Sequence, residues 1–169
     1  MGKKTIQKKI CMLGDFSVGK TSLIRRFVEG RFDDKYLSTI GVKISRKQVE
    51  RPEHQINLLI WDLAGGDNHA NKLSGYLRGA AGALIVCDLT RDTTVYAFEH
   101  YSQQLRKFNE SAPIVMAANK YDLSDQRQIS DESLQKIADK LRADLLYTSA
   151  KTGQNVIEAF DLLADAVSK

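Results

Sequence analysis

The stretch Gly14-Asp15-Phe16-Ser17-Val18-Gly19-Lys20-Thr21 limits what this chain can fold into more than any other. It is glycine, four free positions, then Gly-Lys-Thr, the spacing of a phosphate-binding loop. The apolar run Ile10-Cys11-Met12-Leu13 before it reads as a buried strand. Leu23, Ile24, Phe27 and Val28 after it recur at helical spacing. Strand, glycine loop and helix together let successive N–H groups converge on an anion, with the positive end of the helix dipole behind them. In that frame Lys20 supplies a mobile charge for the outer phosphates, and the Thr21 hydroxyl is placed to ligate Mg²⁺. Residues 15 to 22, ending at Ser22, form the phosphate-side wall of the expected site.

The remaining segments alternate between strand and helix patterns. A polar loop spans Gly30 to Ser38, and Val42 and Ile44 then alternate with polar residues in a strand. Arg51-Pro52-Glu53-His54 is a turn, and Ile56 to Leu63 returns as a strand ending in Trp61-Asp62. Ala64 to Lys72 reads as a polar loop, Gly82 to Leu89 as a buried strand. A helix opened by Asp92 or Thr93 carries Val95, Phe98, Leu105 and Phe108. Ile114 to Ala118 is a strand delivering Asn119-Lys120-Tyr121-Asp122. A helix capped near Ser130 follows, then the strand Leu145 to Thr148 delivering Ser149-Ala150-Lys151, and a closing helix with Val156, Phe160, Leu163 and Val167. This alternation predicts an α/β fold, with a mostly parallel sheet covered on both faces and one antiparallel hairpin strand at its edge. Every motif falls at the carboxyl end of a strand, where such sheets bind ligands.

Asn119-Lys120-Tyr121-Asp122 selects the base. A carboxylate at Asp122 accepts from both N1–H and the 2-amino group of guanine, whereas adenine lacks that amino group and presents a lone pair at N1. An unpaired buried group of this kind discriminates by roughly 10⁴-fold. Asn119 can tie neighbouring loops and reach the base edge, the Lys120 stem lies along the ring, and Ala150 can offer its N–H to guanine O6. Asp62 is where a second carboxylate reaches Mg²⁺ through water. An ATP-using enzyme would share the loop but leave this base motif unexplained.

At 169 residues the chain is long enough for a single domain with a real core, and its net charge of +4 is too mild to argue for nucleic acid. Lys3-Lys4 and Lys8-Lys9 read as a solvated N-terminal edge. Cys11 and Cys87 sit in apolar runs, as buried free thiols of a reducing cytosol rather than a disulfide or metal site. No signal peptide or membrane-spanning run is present, Ile6 spoils a myristoylation signal, and Ala166 to Lys169 contain no cysteine. The expectation is a cytoplasmic protein with no direct membrane anchor in this chain.

Across its length the chain resembles the small GTPases of the Ras superfamily, and the Rab branch most. The matching pieces are Gly14 to Thr21, Thr39-Ile40-Gly41, Trp61 to Gly65, Tyr76 to Ala80, Asn119 to Asp122 and Ser149 to Lys151. The resemblance implies one G domain over residues 1–169, with the P-loop fold of a six-stranded sheet and about five helices. It implies GTP/GDP and Mg²⁺ as ligands. By it Phe32 stacks on the guanine, Tyr36 covers the phosphates, Thr39 joins Thr21 and Asp62 at Mg²⁺, and the Gly65 amide meets the γ-phosphate. Lys20, Thr39, Gly65 and Gly66 then form the catalytic set, and the loops around Thr39 and Gly65 are switches that relax when γ-phosphate leaves. Exchange factor, GAP and effectors would meet these switches and the positions Ile44, Trp61 and Tyr76, although Trp61 fits plain core packing equally well.

Two departures from the family pattern bear on hydrolysis, while Leu63 in place of the usual threonine matters less and Ile44 stands where the Rab branch carries an aromatic. Gly66 stands where the water-orienting glutamine belongs, and Phe16 stands where relatives carry glycine or another small residue. His69 or Asp67 could replace the glutamine, or be solvated residues of a loop. Both departures imply slow hydrolysis. The chain is then either a regulated switch or a GTP-loaded scaffold that hardly turns over.

Overall fold

The computed structural model describes residues 2–33, 41–64 and 70–169. Among the described residues six strands form one sheet: β1 (Lys4–Gly14), β2 (Val42–Glu50), β3 (His54–Leu63), β4 (Gly82–Asp88), β5 (Ile114–Asn119) and β6 (Asp144–Tyr147). Among the described residues five α-helices accompany them: α1 (Lys20–Glu29), α2 (Ala70–Leu77), α3 (Ala97–Arg106), α4 (Asp131–Leu141) and α5 (Val156–Val167). The strand order is β2-β3-β1-β4-β5-β6, with β2 antiparallel to β3 and every other pair parallel. This is the P-loop fold of the small GTPases, as the sequence led one to expect.

Side chains of β1 alternate between two cores. Ile10 and Met12 face α1 and α5, joining Leu23, Phe27, Phe160 and Leu163. Cys11 and Leu13 face the other way, among Leu77, Phe98, Leu105 and Leu134. Phe27 and Phe160 stack with ring centroids 4.2 Å apart and planes 2° from parallel, an attraction worth about 1 kcal/mol beyond their burial. That contact seats α1 on α5 and so fixes where its N-terminus opens. No helix among the described residues is long and apolar enough to cross a membrane.

Three elements differ from the sequence expectation. β1 begins at Lys4, not Ile10, because pairing with β3 from Lys4↔His54 onward satisfies its backbone even where its side chains are polar. Its second neighbour, β4, joins only at Ile10↔Gly82, where the buried run starts. Residues 70–77, read as the end of a polar loop and the start of the next motif, form α2, with Leu77 buried and Leu73 and Tyr76 against the core. The helix expected from Asp92 starts instead as a 3₁₀ turn over Asp92–Tyr96, and α3 proper begins at Ala97. Ser130 caps α4 as expected, its hydroxyl accepting from Ser133 N at 3.2 Å.

Candidate nucleotide-binding site

β1 is where the strand order reverses: the chain runs from it through α1 to the edge strand β2, returns beside it as β3, and then crosses to its other side as β4. The loop from Gly14 to Gly19 lies at its carboxyl end, in the crevice such a reversal creates. Two glycines are required there by close approach. A Cβ on Gly14 would sit 2.5 Å from the Val86 carbonyl oxygen, and one on Gly19 would sit 2.3 Å from Asn119 Nδ2. Gly19 also adopts φ +104 at the N-cap of α1, where it offers the first turn no side-chain acceptor. Helix donors of that turn are thereby directed to whatever anion fills the loop.

Lys20 is 6% exposed, with Nζ donating to Gly14 O at 3.1 Å and Asp15 O at 3.0 Å. Burial pushes its ammonium down to about 8 against the pull of Asp62 and Asp15, and the nearby Arg91 charge adds to the lowering. Such a cation is under-compensated, and a phosphate beside it would relieve the cost. Thr21 Oγ1 donates to Asp62 Oδ2 at 2.6 Å, so α1 and β3 bring two of the three expected Mg²⁺ ligands together. Ser22 is half-buried in the same turn.

The base-side residues are held as firmly. Asn119 is buried, with Nδ2 donating to Val18 O at 2.9 Å and Oδ1 accepting from Thr148 Oγ1 at 3.0 Å. It therefore joins the phosphate loop to the end of β6. Asp122 Oδ1 accepts from the buried Ser149 hydroxyl at 2.7 Å, which aims the carboxylate. Arg26 of α1 donates to Ala150 O at 2.8 Å and also to Lys151 O, pinning that loop from below. Lys120 takes a positive φ of 67 and its Nζ meets Asp88 Oδ2 at 2.8 Å.

Phe32 is half-buried, against the α1–α5 core rather than clear of it. Phe16 is half-exposed on the phosphate loop. Tyr36, Thr39, Gly65 and Gly66, together with Asp67 and His69, lie outside the described residues. The strand ends flanking them are joined, Ala64 N donating to Gly41 O at 2.9 Å. Ile44 is exposed directly opposite Trp61 in the β2–β3 register. Trp61 lies against the core, 6.4 Å from the Tyr76 ring, with Lys9 Nζ 3.7 Å from its centroid. Trp61 thus packs on the core and pairs across the ladder with the exposed Ile44.

Comparison with known proteins decides the lineage. The model of the Ras family matches residues 9–169. The chain belongs to the Ras family. Ras-related protein Rab-3C of Mus musculus is 33% identical over 160 residues, 94% of this chain and 70% of the relative. Ras-related proteins Rab-3A and Rab-3B of Homo sapiens are each 32% identical over 160 residues, covering 94% of this chain and 73% of theirs. This Ras-family protein is accordingly Rab-like, a GTP-binding switch protein of a family of GTPases.

Sequence reasoning missed several supports of the site. Asp88 ends an apolar run and Arg26 lies in an expected helix, neither with a signal of its role, and for Ser149 the motif shows the position but not the bond to Asp122. Arg91 carried no local signal. Each acts on a residue distant in sequence, which a pattern along the chain does not report.

Proposed function

We propose that this Ras-family protein binds GTP or GDP with Mg²⁺, hydrolyses GTP slowly, and engages regulators and effectors through its switch segments. The observation that carries the reading is Asn119, whose side chain bonds the phosphate loop at Val18 and the base-side strand at Thr148. It ties the loop that would cradle the phosphates to the strand ends beside Asp122, the carboxylate that would read guanine.

The residues present fit Mg²⁺. A hydroxyl and a buried carboxylate 2.6 Å apart are the hard oxygen donors this ion accepts alongside waters and phosphates. Thr21 and Asp62 would hold it, with Thr39 joining in the GTP state; bound there, it neutralises charge on the phosphates. Lys20 orients the outer phosphates, the loop N–H groups bind them, and Asp122 with the Ala150 amide fixes the base.

Slow turnover follows from Gly66 and Phe16. Without a side chain at 66 the glutamine's hold on water is lost, a contribution on the order of 10²-fold. The half-exposed Phe16 ring stands where a partner's arginine would approach, an acceleration of roughly 10³–10⁵-fold in relatives. Effectors would read Ile44, Trp61 and Tyr76, and the buried thiols suit a cytoplasmic setting. Single-turnover hydrolysis of wild type beside Gly66→Gln tests this: glutamine should raise the rate by roughly 10²-fold. An unchanged rate would refute the assignment of Gly66.

A further inference from the structure

We propose that Arg91 is a positioning residue for the phosphates: seated on Asp88, it holds the Phe16–Ser17 peptide so that the Ser17 N–H faces the loop interior. The inference rests on the reading of Gly14–Thr21 as a phosphate site. Arg91 Nη2 donates to Phe16 O at 2.6 Å across 75 residues of sequence. In a trans peptide the carbonyl and the following N–H point in opposite directions. Drawing the Phe16 oxygen outward to Arg91 therefore turns the Ser17 N–H toward the side where an anion sits.

Ser17 needs such a hold. Its φ is +64, a left-handed conformation that a non-glycine residue leaves readily for negative φ. That excursion rotates the Phe16–Ser17 peptide and removes a donor from the cradle. The arm that prevents it is built, not incidental. Arg91 Nε donates to Asp88 Oδ2 at 3.2 Å, and the same oxygen takes Lys120 Nζ at 2.8 Å. Asp88 Oδ1 accepts from Thr90 N at 2.9 Å and Thr90 Oγ1 at 2.7 Å. The carboxyl is 1% exposed; burial pushes it up, but the Lys120 and Thr90 donors outweigh that and keep it below its ordinary range. Arg91's own backbone is fixed by N–H to Asp88 O at 3.0 Å and by Thr94 Oγ1 donating to its carbonyl at 2.7 Å. Through Asp88, the base-side Lys120 and the phosphate loop share one anchor.

The test measures GMP, GDP and GTP affinity by competition with a fluorescent GDP, in wild type, Arg91→Ala, Arg91→Lys and Arg91→Ala/Ser17→Gly. Arg91→Ala should weaken GDP and GTP about tenfold, the equivalent of the lost hold on a left-handed residue, and GMP much less. Arg91→Lys should recover part, by restoring one donor. Ser17→Gly in the Arg91→Ala background should also recover affinity, because glycine takes positive φ without cost. Unchanged GDP affinity in Arg91→Ala, an equal loss for all three nucleotides, or no gain from Ser17→Gly would overturn the proposal. So would a fall in hydrolysis at saturating GTP with GDP affinity intact, which would place the guanidinium on the reacting phosphate. Failure of wild type to bind GDP at all would instead remove the nucleotide reading beneath it.

Discussion

Replacing Gly19 by alanine probes the joint between the phosphate loop and the base-side strand. The added Cβ would lie 2.3 Å from Asn119 Nδ2, far inside contact distance. An exposed amide would swing away cheaply, but Asn119 is 1% exposed and engaged at both ends, to Val18 O and to Thr148 Oγ1. Retreat breaks at least one buried hydrogen bond, about 1–3 kcal/mol. Alanine at φ +104 adds about 1–2 kcal/mol of backbone strain. The sum is about 2–5 kcal/mol, which for a chain of this size lowers Tm by roughly 4–20 °C. Thermal melting of the GDP-loaded protein by circular dichroism measures it. A double-mutant cycle isolates the collision: with Asn119→Ala the space is cleared, and Gly19→Ala should then cost only its backbone share. A coupling of about 1–3 kcal/mol is expected. Strict additivity, or a Tm within about 2 °C of wild type, would refute the steric argument.

Asp62→Asn keeps the shape of the Thr21 partner but removes its charge. The Mg²⁺ concentration that half-restores GDP retention should rise at least about tenfold, with retention in EDTA unaffected. Asp122→Asn should shift preference from guanine to xanthine nucleotides, while Ser149→Ala, which frees the carboxylate from its 2.7 Å tether, should weaken GDP about fivefold and leave the preference alone. Burial pushes the Cys11 and Cys87 thiols up to about 12, so neither should react with a thiol reagent at pH 8 until the protein unfolds. Because these pKa values are raised on folding, the stability they contribute is complete below pH 9 and declines as pH rises toward 12, which denaturant titration at stepped pH would follow.

Much of the fold and of the candidate site was legible because each decisive signal is short-range. Gly14 to Thr21 carries its own strand and helix on either flank, and Asn119 to Asp122 follows directly on a buried apolar run. The polar half of β1 was not legible, since Lys4–Lys9 become a strand only by pairing with a segment 50 residues away. Nor was α2, whose weak local pattern is stabilised by packing Leu73, Tyr76 and Leu77 on the core. The same holds for the supports of the site: Arg26 under Ala150, Ser149 beside Asp122, and Arg91 on Phe16.

By itself the sequence determined the class of ligand, because a phosphate cradle needs glycines and a lysine at set spacing and guanine needs one carboxylate after a strand. It determined the layered α/β architecture as well, through the alternation of apolar periods. Only the tertiary structure decided how rigidly the ligand-facing groups are aimed. That depends on hydrogen bonds between residues 27 to 125 positions apart in the chain, which exist once the sheet has brought its strand ends to one rim.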